Sequence, residues 1–227
     1  MKRQRAPQPA ELPVDYGNGI VGPSREQVRT AMESLSPDLS WNELADGLRP
    51  VFVRRRPLPP GVEQPLTVRR PPGIDVALGV DIGPAFMYVG AGMLESWSVS
   101  LDDAFERAMA NLRRSLAAER YVEMEYESID GVPFWWYQST GGLASGLLLM
   151  DEELATRYGP EARLLIAPMR NLLLAAPFDA DRSLVRWLHD EIAHEDPNGL
   201  NLPIFALIDG HLSIDARAQR EQPARVH

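Results

Sequence analysis

The chain has 227 residues, a formal net charge of −9, 44% hydrophobic residues and no cysteine. That length admits one large domain, or a domain with an arm, and the lack of cysteine excludes disulfides, thiolate nucleophiles, zinc knuckles and iron–sulfur clusters. No apolar run approaches the roughly 18 residues that cross a bilayer, and the basic start MKRQRAPQPAELP lacks the apolar core of a secretory signal, so a cytoplasmic protein is expected.

Charge is unevenly spread. Residues 1–70 carry 11 Lys+Arg against 8 Asp+Glu, whereas residues 71–227 carry 12 against 24. An acidic body repels phosphate backbones, so no nucleic acid is expected on it. The basic segment reads as a solvated arm, and 12 of the 20 prolines fall in residues 1–72.

Taken in chain order, residues 1–23 read as a disordered or extended arm. Residues 24–72 follow as a helical, proline-rich extension. Ser24 and Gln27 form a capping box with Val28, Ala31, Met32 and Leu35 at helical spacing. Ser40 and Glu43 form a second box. Val51–Arg55 and Leu66–Arg70 read as edge strands, and the likeness of VFVRRRP to LTVRRPP suggests that they pair.

The core domain is placed at 73–215. Strands are expected at Val76–Ile82 and Phe86–Ala91 around a Gly83-Pro84 turn. Ser100 and Asp103 cap a long helix whose apolar stripe runs from Leu101 to Leu116. Tyr121–Glu127 alternates as a half-buried strand, and Asp130-Gly131 signals a hairpin into Val132–Gln138. A short strand at Leu147–Met150 and a helix at Asp151–Tyr158 come next. Two buried strands follow, Leu164–Ala167 and Leu172–Ala175, bent at Pro168–Asn171. A helix from about Asp179 to Glu195 and a last strand at Ile204–Ile208 complete the core, and residues 216–227 read as a polar, frayed tail. The expected class is α+β, a mainly antiparallel sheet with helices packed on one face, plus the N-terminal proline-rich helical arm.

This order of elements, with the Ala-x-x-Asn-Leu helix ending (Ala108, Asn111, Leu112) and the Pro-x-Arg turn (Pro168, Arg170), resembles the YtpQ-like family of bacterial cytoplasmic proteins of unknown function. The resemblance covers roughly residues 75–208 and implies a fold without a reaction. Where that family has a serine and an aspartate around the turn arginine, this chain has Met169 and Asn171. A hydroxyl–arginine–carboxylate group is therefore not expected, although Arg170 and Asn171 retain hydrogen-bonding capacity.

Four motifs invite chemistry and fall short of it. In HDEIAH, His189 and His194 are five apart, about 140° out of phase on a helix, whereas zincins need i,i+4. Asp190 and His194 have that spacing but supply only two ligands. GVDIG (Gly79–Gly83) lacks the hydroxyl or amide residue that meets phosphate in actin-like kinases. GGLASG (Gly141–Gly146) places Ser145 in Gly-x-x-Ser-Gly rather than a nucleophile elbow. Glu123, Glu125 and Glu127 alternate as a polar strand face.

No catalytic, cofactor-binding or metal residue is therefore assigned, and no cofactor is expected. The preferred expectation is a non-enzymatic protein-interaction module, accessory or immunity-type. It would bind another protein through an acidic, tryptophan-bearing surface made by Trp135, Trp136, Arg170 and Asn171. One alternative is a hydrolase with a site near Ser145, Arg170 and His194. Another is a structural subunit that uses the arm, and self-association is left open.

Overall fold

The computed structural model describes residues 14–15, 21–22, 26–27, 29–30, 40–53, 65–70, 72–81, 86–118, 125–139, 143–195 and 199–220. The α+β class holds, and its strands divide into separate antiparallel sheets. In the expected arm, β1 (Val14–Asp15) pairs with β2 (Val21–Gly22). The Ser24 capping box and the Gly83-Pro84 turn lie outside the described residues.

The first of the two main sheets is built on β5 (Ile74–Asp81). It is flanked by β3 (Leu48–Phe52) and β4 (Thr67–Arg70), with β6 (Phe86–Tyr88) pairing its second half. The expected pairing of the two arginine-bearing strands is corrected here: β3 and β4 lie on opposite sides of β5. Strand β5 is the most apolar of the three and takes the centre, and the arginine strands take its flanks. The Ser40 box holds, with Glu43 Oε2 accepting from the Ser40 N–H at 2.9 Å ahead of α1 (Trp41–Leu44). Within the extension expected at 24–72, the segments Leu48–Phe52 and Thr67–Arg70 thus share a sheet with β5 of the core domain.

An additional helix, α2 (Ala91–Trp97), follows β6, where the expected strand ran on to Ala91. Leu94 buries beneath it, and Ser98 closes it in the left-handed conformation. The helix α3 (Leu101–Ala118) then starts on the Ser100 cap, whose hydroxyl accepts from the Asp103 N–H at 3.1 Å. It lays Phe105, Ala108 and Leu112 on the first sheet.

The second sheet runs β12-β11-β9-β10-β8-β7. Its strands are β7 (Glu125–Ile129), β8 (Val132–Gln138), β9 (Arg163–Met169), β10 (Leu172–Pro177), β11 (Phe205–Ile208) and β12 (His211–Ile214). The two Asp-Gly pairs of this sheet turn its β7–β8 and β11–β12 hairpins, with positive φ at Asp130, Gly131, Asp209 and Gly210. The apolar run at 164–167 is explained by burial on both faces. Leu165 and Ala167 join one core cluster with β3, β5, α3 and the segment 144–158. Leu164 and Ile166 face the other way, against Val185 and Leu188 of α5 (Arg182–Glu195).

Three expectations need correction in this half. Leu147–Met150 is not a strand: residues Ala144–Leu149 coil as a 3-10 segment ahead of α4 (Asp151–Tyr158). A β-carbon on Gly146 would lie 3.0 Å from two methyls of Leu112, so glycine lets this coil close on α3. The chain after 215 does not fray at once, since α6 (Ala216–Arg220) buries Ala218. Strand β12 was also not expected, and Ile208 is therefore not in the last strand.

Candidate functional site

Helix α5 carries an open surface depression. The Asp181 carboxylate accepts from the Ser183 N–H at 2.8 Å and its carbonyl from the Val185 N–H at 3.1 Å, which starts the helix. Val185 and Leu188 are buried against β9 and β10. The periodicity of 3.6 then places Ser183, Arg186, Trp187, Asp190, Glu191 and His194 on the outer side. They line an open depression of about 450 Å³. Trp187 stands in it with 53% of its surface exposed, an unusual state for so large an aromatic.

The neighbours of Trp187 are fixed from beneath. Arg186 donates to the Ala218 carbonyl, tying α5 to α6. His189 is buried, with Nδ1 3.0 Å from Asp190 Oδ1 and Nε2 without a hydrogen-bond partner among the described residues. Burial holds its pKa below the ordinary imidazole value, and the hydrogen bond and charge of Asp190 oppose that shift only in part. The outer face of α5 thus sets an exposed indole beside the carboxylates of Asp190 and Glu191 and the hydroxyl of Ser183.

The residues expected to form the docking surface lie elsewhere and do not form one patch. Trp135 and Trp136 do face opposite sides of β8, but neither is the exposed anchor. Trp135 is half-buried, with the Arg163 guanidinium 4.0 Å from its ring centroid and Tyr126 edge-on at 5.9 Å. Trp136 packs on the α5 side with its indole N–H buried and unpaired among the described residues. Arg170 and Asn171 form the β9–β10 turn. Their carbonyls accept from the Ser145 N–H at 3.0 Å and the Ser139 N–H at 2.9 Å, so the turn is an internal fastening.

The hydrolase constellation does not assemble. Ser145 is buried in the 3-10 segment, whose apolar residues join the cluster on one face of the second sheet. His194 is exposed on α5, which covers the other face. Among the described residues no hydrogen bond joins the two. Asp190 and His194 do share the outer face of α5, but no group of three or more metal-ligating side chains exists among the described residues. Glu127 is exposed on β7 as expected, while Glu123 lies outside the described residues. No described helix is long and apolar enough to cross a membrane.

No family model, curated protein or solved structure matches this chain. The resemblance carried by Ala108, Asn111, Leu112, Pro168 and Arg170 thus rests on those residues alone. Each of the three helix residues has a packing duty. Ala108 and Leu112 are buried, and the Asn111 amide donates to the Ala45 carbonyl at 2.7 Å and the Leu48 carbonyl at 3.0 Å.

Trp187 and Tyr126, the two most exposed large hydrophobics among the described residues, were both missed as contact candidates. A signal for the first was present in the sequence. Leu184, Val185, Leu188 and Ile192 define the buried stripe, and Trp187 falls off it.

Proposed function

We propose that this is a non-enzymatic bacterial protein-binding module, working in the cytoplasm in an accessory or immunity-type role, that receives another protein on the outer face of α5. The observation that carries the reading is the exposed Trp187 lining the α5 depression. Tryptophan is the residue type most enriched among interface hot spots, and one held on a rigid helix loses little freedom on binding. Asp190 and Glu191 flank it within an acidic body, so the matching partner offers an apolar pocket rimmed by Lys or Arg. The relationship to the YtpQ-like family, itself a proposal, adds the bacterial setting and no reaction.

Native mass spectrometry of untagged protein, released gently from its own cells at low salt, tests this reading. A stoichiometric protein adduct is expected for the wild type and lost for Trp187→Ala, which should fold normally because the indole is half in solvent. Bare monomer from both proteins, or an adduct indifferent to Trp187→Ala, would overturn it.

A further inference from the structure

The second sheet ends in β7, and among the described residues that strand is paired only with β8. The β7–β8 hairpin has a two-residue loop, with Ile129 opposite Val132 and both Asp130 and Gly131 at positive φ. In such a hairpin the pair closing the loop exchanges both main-chain hydrogen bonds, and the next pair exchanges none. Residue 133, opposite Ser128, is a proline and has no N–H to give. The register is therefore settled twice over. Glu125, Glu127 and Ile129 spend their main-chain groups on β8, while Tyr126 and Ser128 turn theirs outward to the open edge.

The side chains at that edge are equally specific. Tyr126 is the most exposed large hydrophobic among the described residues, at 64%. It is also positioned, since Trp135 meets it edge-on and is itself stacked under Arg163. Acidic residues occupy the alternate positions 125 and 127, and Glu127 is exposed.

We infer that the open edge of β7 takes up an extended, basic segment of another protein as an added strand. The main-chain groups of Tyr126 and Ser128 would supply the ladder. Lys or Arg at alternate positions would meet positions 125 and 127, with an apolar residue between them over Tyr126. A second copy of this chain is the poorer occupant. A two-fold axis through Tyr126 sets 125 opposite 127, and one through Glu127 sets that residue against itself, so each arrangement places acid against acid. The same repulsion keeps a flat, open edge from self-association. This inference concerns a surface separate from α5 and stands whether or not Trp187 binds a partner.

The test is fluorescence anisotropy with a labelled peptide of about ten residues alternating Arg and Val, beside a twin with Glu in place of Arg. The full chain should bind the basic peptide saturably and ignore the acidic one. Ser128→Pro removes one outward N–H without touching the β8 ladder. It should weaken binding about tenfold, the scale of one lost hydrogen bond. Glu127→Arg should weaken binding at least as much, and it alone decides if the proline variant fails to fold. Trp187→Ala should leave peptide binding at wild-type affinity while losing the α5 adduct, which separates this edge from the α5 surface. No binding of the basic peptide at low salt would overturn the inference. So would equal affinity in wild type, Ser128→Pro and Glu127→Arg, which would mean diffuse attraction to the acidic body. A wild-type dimer that Ser128→Pro converts to monomer would assign the edge to a second copy instead.

Discussion

Arg182 Nε donates to Asp215 Oδ2 at 3.0 Å with both side chains almost withdrawn from solvent, and this pair fastens the start of α5 to the end of β12. The other carboxylate oxygen accepts from the Arg217 N–H at 2.9 Å, and Arg182 Nη1 donates to the Ala180 carbonyl at 3.0 Å. One buried carboxylate thus orders the entry to α6 and anchors the helix that displays Trp187.

Removing that carboxylate leaves a buried guanidinium without its counter-charge. Asp215→Ala should therefore lose about 3–5 kcal/mol of stability, the range for breaking one side of a buried ion pair. The double variant Arg182→Met/Asp215→Leu should recover much of the loss, because neither charge then remains to be desolvated. Urea unfolding measures both. A single variant within about 1 kcal/mol of wild type would show that water reaches the guanidinium freely.

Asn111 is the corresponding fastening in the first half of the chain. It is almost fully buried on α3, gives both amide hydrogens to the 45–48 segment and accepts from Arg114 Nη2 at 2.8 Å through its oxygen. Asn111→Leu keeps the branched shape but strands two carbonyls and should cost about 1–3 kcal/mol. The loss should appear as earlier hydrogen exchange in β3, the strand those carbonyls lead into, and uniform protection across β3 and β9 would contradict it.

These two residues also show what the sequence could and could not reveal. Capping boxes at Ser40 and Ser100 and the Asp130-Gly131 turn were legible because they act between near neighbours. Asp209-Gly210 carries the same signal, and β12 was readable from it. Helix α2 was not, since Gly90, Ala91 and Gly92 offer no helical stripe and its register depends on Leu94 entering a core made by distant strands. The 144–149 coil had an apolar run that fits strand or helix alike, and contact with Leu112 decided it. The pairing of β3 and β4 with β5 rather than with each other is a non-local choice that no local pattern encodes. Site residues were misplaced for the same reason: that Trp135 hides beneath Arg163 is a cross-strand event, invisible along one strand.

Two glycines should respond in opposite senses to alanine. Gly131 sits at φ +80 in the β7–β8 turn, where a β-carbon strains the backbone although space is open. Gly131→Ala should cost about 1–2 kcal/mol. Gly92 lies in the first turn of α2 with nothing within 4 Å of its missing β-carbon and no positive φ. Gly92→Ala should stabilise by about 0.4–1 kcal/mol by restricting the unfolded chain. Thermal unfolding of the pair measures the contrast, and equal shifts of the same sign would refute this account of both positions.

His189 should make stability depend on pH below neutrality. Its folded-state pKa is depressed by burial, so the unfolded chain binds the proton more readily than the folded one. The stabilisation from keeping it neutral is complete above the unfolded value, about 6.5. It declines as pH falls below that value toward the depressed folded one, where the native imidazole must also charge. Wild type should therefore lose stability between about pH 7 and pH 5.5, while most carboxylates are still ionised. His189→Gln, which cannot take up a proton, should flatten that part of the profile. Urea melts across this interval, read as wild type minus variant, isolate the histidine from the Arg182–Asp215 pair, which both proteins retain. A difference that grows in favour of wild type as pH falls would mean that Asp190 stabilises the imidazolium more than burial opposes it, reversing the sign of the coupling.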